Sequence, residues 1–168
     1  MRILTINNKK DEKILRQPTK KIDFKTFPKK ELRELIVKLR LVMKKANGVG
    51  LSANQIGESL SVFVARLGEK FYVIINPEVI KKSKEVVIFE EGCLSVPGYF
   101  GMVERPEKIT IVGFDQKGKK IKIKAWGVLA RVFQHEIDHL NGIIFIDKAK
   151  NLREQKTYER TKIYGIKK

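Results

Sequence analysis

The chain contains only two histidines, His135 and His139, and Glu136 lies between them in the stretch FQHEIDHLNG (133–142). In a helix, the pattern H-E-x-x-H sets two imidazoles on one face, one turn apart, where both reach a single ion. Glu136 projects about 100° away from His135 around the helix axis. It can therefore touch a water beside that ion without becoming a ligand. Both histidines sit in an apolar helical pattern, where an unpartnered polar group is costly. That context favours a metal site over idle core histidines.

A catalytic metal site usually has three protein ligands and one open position. There is no third histidine. Glu154 and Glu159 follow the helix, but Asn141-Gly142 and the run IIFID (143–147) intervene, and the apolar pattern of the tail is poor. The remaining donor is Cys93, the only cysteine, in EEGCLSVPG (90–98). A lone cysteine is more often an inert small hydrophobe. This one lies among glycine and proline instead of on a periodic apolar stripe, and the chain is one ligand short. A Cys-His-His set with a free fourth position suits catalysis, and a thiolate suits zinc or ferrous iron.

Several elements must position these residues. A helix is expected in FPKKELRELIVKLRLVMKKANG, where Leu32, Leu35, Ile36, Leu39, Val42, Met43 and Ala46 recur at helical spacing. Pro28 suits its first turn and Asn47-Gly48 its stop. SVFVAR, KFYVIINP and EVVIFE read as strands, and KITIVGF and KKIKIKA as a hairpin across DQKG. EGCLSVPGYFGMVERP reads as a loop region. The metal-bearing helix should span Gly127 to Leu140, burying Leu129, Val132, Phe133, Ile137 and Leu140, and stop at Asn141-Gly142. IIFID suggests a short strand. Residues 1–25 are polar, with only Ile14 and Leu15 looking buried. The order of elements argues for an α+β fold, antiparallel strands packed around a central metal-binding helix.

With 168 residues, the chain reads as one catalytic metallohydrolase domain with a short basic tail from about Lys148. A hydrophobic fraction of 42% excludes wholesale disorder. No apolar run is long enough to cross a bilayer, and no secretory signal is visible. A single cysteine fits a reducing cytoplasm. The net charge of +17 suggests an anionic neighbour such as the ribosome surface. The lysines are dispersed, and no DNA- or RNA-binding signature accompanies them.

GVGLSANQ (48–55), EGCLSVPG (91–98) and QHEIDHLNG (134–142) together resemble the three signature motifs of the peptide deformylase family. The resemblance covers about residues 48–148. It implies removal of the N-formyl group from the initiator N-formylmethionine of nascent polypeptides, with release of formate. It implies Cys93, His135 and His139 as metal ligands and Glu136 as general acid/base. Gln55 and the backbone N–H of Leu94 match the groups that stabilise the carbonyl oxygen. Gly48, Val49 and Gly50 match the segment that pairs with the substrate backbone. Arg131 and Val132 are expected to wall the pocket for the methionine side chain, and Asp138 is a candidate ion-pair residue with Arg105 as its partner. The family points to Fe2+ in the cell, with Zn2+ or Ni2+ expected in a purified sample. The implied partners are N-formylmethionyl nascent peptides near the ribosomal exit tunnel, with no specific DNA and no membrane.

The chain also departs from the family pattern. Ser52 stands where the family generally has alanine, and the early Pro-Asp-Pro-x-Leu-Arg is represented only by KILR (13–16). Tyr99 and Phe100 occupy the region where some members offer an arginine to the substrate. Two rival readings differ at identifiable residues. A zinc peptidase would take Glu154 or Glu159 as its third ligand. An RNA-binding module would hold a structural ion, with a carboxylate completing a four-coordinate set.

Overall fold

A computed structural model describes residues 2–154. Its elements, in chain order, are α1 (Lys9–Leu15), α2 (Lys29–Lys45), β1 (Gly50–Ser52), β2 (Val62–Leu67), β3 (Lys70–Lys82), β4 (Val86–Cys93), β5 (Val96–Pro106), β6 (Lys108–Phe114), β7 (Lys120–Trp126), α3 (Gly127–Leu140) and β8 (Lys150–Glu154). Five strands form one antiparallel sheet in the order β1-β2-β3-β6-β7, and three form another in the order β4-β5-β8. Helix α3 packs against β1, β2, β6 and β7 of the first sheet and β5 of the second. This is the expected α+β arrangement with the H-E-x-x-H helix at its centre.

Helix α3 forms where its periodicity places it. Val132, Phe133, Ile137 and Leu140 are buried, Leu129 partly so. Phe133 lies against Phe63 and Tyr72, with ring centroids 5.4 and 5.2 Å away. Burying a side chain of this kind contributes roughly 2 kcal/mol. The helix stops by exposing two carbonyls to the turning chain. Ile143 N–H donates to Asp138 O and Gly142 N–H to His139 O, at 2.9 and 3.0 Å. Gly142 has φ +74°, the left-handed conformation this ending requires and glycine adopts cheaply.

Helix α2 buries Leu32, Leu35, Ile36, Leu39 and Met43 against β1, β2 and the following turn. Pro28 caps it in an extended conformation, immediately before the first turn. The β6–β7 hairpin runs in uninterrupted register from Lys108↔Trp126 to Phe114↔Lys120.

Three local expectations are corrected. EGCLSVPGYFGMVERP is not a loop: Cys93 ends β4, Val96 begins β5, and the two strands pair from Val86↔Pro106 onward. Sheet pairing overrides the glycine and proline signals. IIFID is not a strand, because Phe145–Asp147 form a 3-10 turn in which Asp147 Oδ2 accepts from Ile144 N–H at 2.9 Å. The N-terminal segment is ordered by the site it borders. Leu4 N–H donates to Gln55 O and Ile6 N–H to Ser95 O, at 2.8 and 3.0 Å. Leu4, Leu15 and Ile22 are buried there, whereas Ile14 is exposed. The tail contributes β8, paired with β5 at Tyr99↔Glu154 and Phe100↔Arg153.

Candidate active site

Two chain segments converge on α3. The segment 48–56 enters as β1 and turns through a 3-10 helix, Ala53–Ile56. Ser52 lies at its start, where Gln55 Oε1 accepts from Ser52 N–H at 2.9 Å. The segment is clamped to the backbone of α3: Asn54 Nδ2 donates to His139 O at 2.6 Å and the Ser52 hydroxyl lies 3.0 Å from Glu136 O. Leu94 and Ser95 form the tight connection between β4 and β5. Here Ser95 N–H points at Cys93 Sγ, 3.4 Å away.

These contacts gather the expected donors. Cys93 Sγ and the ring nitrogens of His135 and His139 lie within 4.8 Å of one another, with Cys93 Sγ 3.0 Å from His139 Nε2. Burial alone would raise the Cys93 thiol; the neighbouring His139 and His135 imidazoles outweigh it and hold the thiol well below its usual range. Burial alone would lower His135, but the Cys93 sulfur and the Glu91 carboxylate hold it well above its usual range. Thiolate and imidazole donors gathered this closely bind a cation with release of protons. The donor set therefore fits a divalent metal ion of the zinc or ferrous-iron type. Glu154 is exposed on β8 and is not part of this group; Glu159 lies outside the described residues.

Glu136 is 4% exposed, and its carboxylate Oε2 accepts from the Ser52 hydroxyl at 2.6 Å. Burial raises its carboxyl above the ordinary value, against the pull of His135 and His139. On its other side lies Gly50, where an added Cβ would sit 2.8 Å from Glu136 Cδ and closer still to Oε1. Glycine at that position is what lets the carboxylate approach the β1 backbone.

Gln55 is buried, and Nε2 donates to Ser95 Oγ at 3.1 Å while lying 3.7 Å from Cys93 Sγ. Its amide thus braces the loop and borders the Cys93 sulfur at once. Leu94 sits in the β4–β5 turn directly after Cys93. Gly48 and Val49 precede β1, and Val49 O accepts from Arg66 N–H on β2 at 2.8 Å. β1 is an edge of its sheet. Val132 is buried one turn before Glu136. The Arg131 guanidinium is turned to Glu91 Oε1, Val103 O and Val87 O, at 2.7, 2.9 and 2.7 Å.

The sequence reading missed Glu91. This buried carboxylate accepts from Arg105 Nε and Nη2 at 2.6 and 2.8 Å, and lies 3.0 Å from His135 Nδ1. Burial alone would raise its carboxyl; Arg105 and then His135 hold it well below the carboxylate range. Arg105 also donates to Asp138 Oδ2 at 2.7 Å, the pairing expected, and Lys148 Nζ reaches both Asp138 oxygens at 2.7 Å. No local signal marked Glu91, whose place became visible only once β4 and β5 paired and set it beside Arg105 and His135.

Known proteins resemble this chain in sequence and fold. The polypeptide deformylase family model matches residues 1–155. The chain is 50% identical over 129 residues to the peptide deformylase of Carboxydothermus hydrogenoformans, a match covering 74% of this chain and 84% of that one. It is 38% identical over 154 residues to that of Mesorhizobium japonicum, covering 89% and 86%. The crystal structure of the Thermotoga maritima peptide deformylase superposes with a TM-score of 0.81 at 34% identity, covering 89% of this chain and 97% of that chain. That of the Legionella pneumophila peptide deformylase gives 0.81 at 39% identity, covering 89% and 86%. The chain belongs to the peptide deformylase family, metal-dependent hydrolases that remove the N-formyl group from the initiator methionine of nascent polypeptides.

Proposed function

We propose that Cys93, His135 and His139 hold one divalent metal ion and that Glu136 moves the protons of formyl-amide hydrolysis. The observation that carries this reading is the convergence of three donor atoms within 4.8 Å beside a buried carboxylate on the helix that bears both histidines. Cys93, His135 and His139 would hold the ion, which would lower the pKa of a bound water enough to supply hydroxide near neutral pH.

The residues then divide the work. Glu136 accepts the proton that the water gives up as its oxygen adds to the formyl carbon. Gln55 Nε2 and the backbone N–H of Leu94 donate to the formyl oxygen as it gains negative charge. When the carbon–nitrogen bond breaks, Glu136 delivers its proton to the departing amine, and formate and the free methionyl amine leave. Gly48, Val49 and Gly50 present the β1 edge to the substrate backbone, which adds as a short strand. Val132 and the stem of Arg131 border the methionine side chain, while the Arg131 guanidinium is occupied with Glu91 and two carbonyls.

Residues 1–168 act as one catalytic domain in this reading, in the cytoplasm, on chains emerging from the ribosome. None of the helices among the described residues is long and apolar enough to cross a membrane. Fe2+ is the working ion in the cell, and Zn2+ or Ni2+ substitutes in purified protein. The net charge of +17 supports an electrostatic approach to the ribosome surface near the exit tunnel. The ligand set is tested by metal content: Cys93→Ala should leave a folded protein without bound ion, whereas Glu154→Ala should keep it. Retention of metal by Cys93→Ala would overturn the assignment.

A further inference from the structure

Among the described residues, the Ser52 hydroxyl is the only hydrogen-bond donor to the Glu136 carboxylate, at 2.6 Å from Oε2. Ser52 is fully buried, so no solvent replaces that donor if the hydroxyl is removed. The other oxygen, Oε1, faces the Cα of Gly50 so closely that a Cβ there would collide with it. Gly50 belongs to the sheet edge offered to the substrate, so the two carboxylate oxygens have different surroundings. Oε2 takes the hydroxyl, whereas Oε1 has no hydrogen-bond donor among the described residues. The main-chain oxygen of Glu136 lies farther from the same hydroxyl, at 3.0 Å, so its single proton goes to the nearer carboxylate oxygen.

We propose that Ser52 is a positioning residue that anchors Glu136 Oε2 and thereby leaves Oε1 as the oxygen that exchanges protons with water and amine. This rests on the assignment of Glu136 as the acid/base group. Without the anchor the carboxylate can rotate about its last side-chain bond, a soft and roughly two-fold torsion. The productive orientation is then only one of several, and the loss falls on the chemical step, where small misplacements are costly. Substrate binding, carried by the sheet edge and pocket, does not change. Alanine is smaller than serine and fits the same space.

The test is steady-state formate release from a formyl-Met peptide by zinc-loaded Ser52→Ala, Glu136→Gln and the double variant, with zinc content and thermal midpoint measured on each. Ser52→Ala should lower kcat by about tenfold, the scale of one unsatisfied buried acceptor, with KM unchanged. Zinc content should remain at one ion per chain. In the Glu136→Gln background the serine substitution should add little further loss, because the hydroxyl acts through the carboxylate. An undiminished kcat in Ser52→Ala would overturn the inference while leaving the role of Glu136 intact. So would an equal loss in both backgrounds, or a loss that follows zinc content. Full activity in Glu136→Gln would overturn both.

Discussion

Glu91 lies 3.0 Å from Nδ1 of His135 and is held there by two nitrogens of Arg105 and one of Arg131. A carboxylate on Nδ1 fixes the tautomer in which Nε2 is free to bind metal, and it fixes the ring plane. Glu91→Gln keeps the shape but removes the charge that the two guanidinium groups and the imidazole share. Metal affinity should fall about 10- to 100-fold, read as earlier loss of zinc in a chelator competition. Unchanged affinity would mean that helix packing alone orients His135.

Gly50 and Glu136 make a second pair that no larger residue would permit. In Gly50→Ala the new methyl would lie 2.8 Å from Glu136 Cδ, forcing the carboxylate or β1 aside. A displacement of about 1 Å in a reacting group costs on the order of 100-fold in rate. Activity should fall on that scale while zinc content is retained, since the ligands lie elsewhere. Wild-type activity in Gly50→Ala would show that Glu136 works from another position.

Away from the site, Asp11 ties the N-terminal segment down. It is paired with Arg2, with Nη2 at 2.7 Å from Oδ1, and Thr5 N–H donates to Oδ2 at 3.2 Å. Hydrogen bonding from Arg2 lowers its carboxyl below the ordinary 3.8. A carboxyl lowered on folding adds stability above its unfolded value, and that contribution disappears as pH falls through the folded value. Asp11→Asn should therefore melt earlier than the wild type at pH 7, and the two midpoints should converge on acidification below 3.8. A gap that widens on acidification would contradict this sign.

Much of the site was legible because its residues are chemically rare. Two histidines and one cysteine leave few ways to build a ligand set, and a helical period places the histidines together without further information. The H-E-x-x-H helix and its glycine stop were legible for the same local reason. What escaped depended on partners far along the chain. Residues 91–106 look like a loop until β4 and β5 pair across them. IIFID has the composition of a strand, but the Asp147 carboxylate folds it into a turn. Glu91 is an ordinary surface residue type, and nothing local marks it as 6% exposed; Arg105 was expected beside Asp138, but its pairing with Glu91 was not. The role of the N-terminal segment was hidden because it is ordered by hydrogen bonds to Gln55 and Ser95 instead of by a period of its own.

The central claim, Glu136-driven formyl hydrolysis at a Cys93-His135-His139 metal, is tested most directly by one assay. Formate release from a short formyl-Met peptide would be followed with anaerobically iron-loaded protein and with Glu136→Gln carrying the same metal content. The account predicts rapid formate from the wild type and a loss of about 100- to 10,000-fold in the variant. Equal rates from the two proteins, or no formate from a folded, iron-bearing wild type, would contradict it.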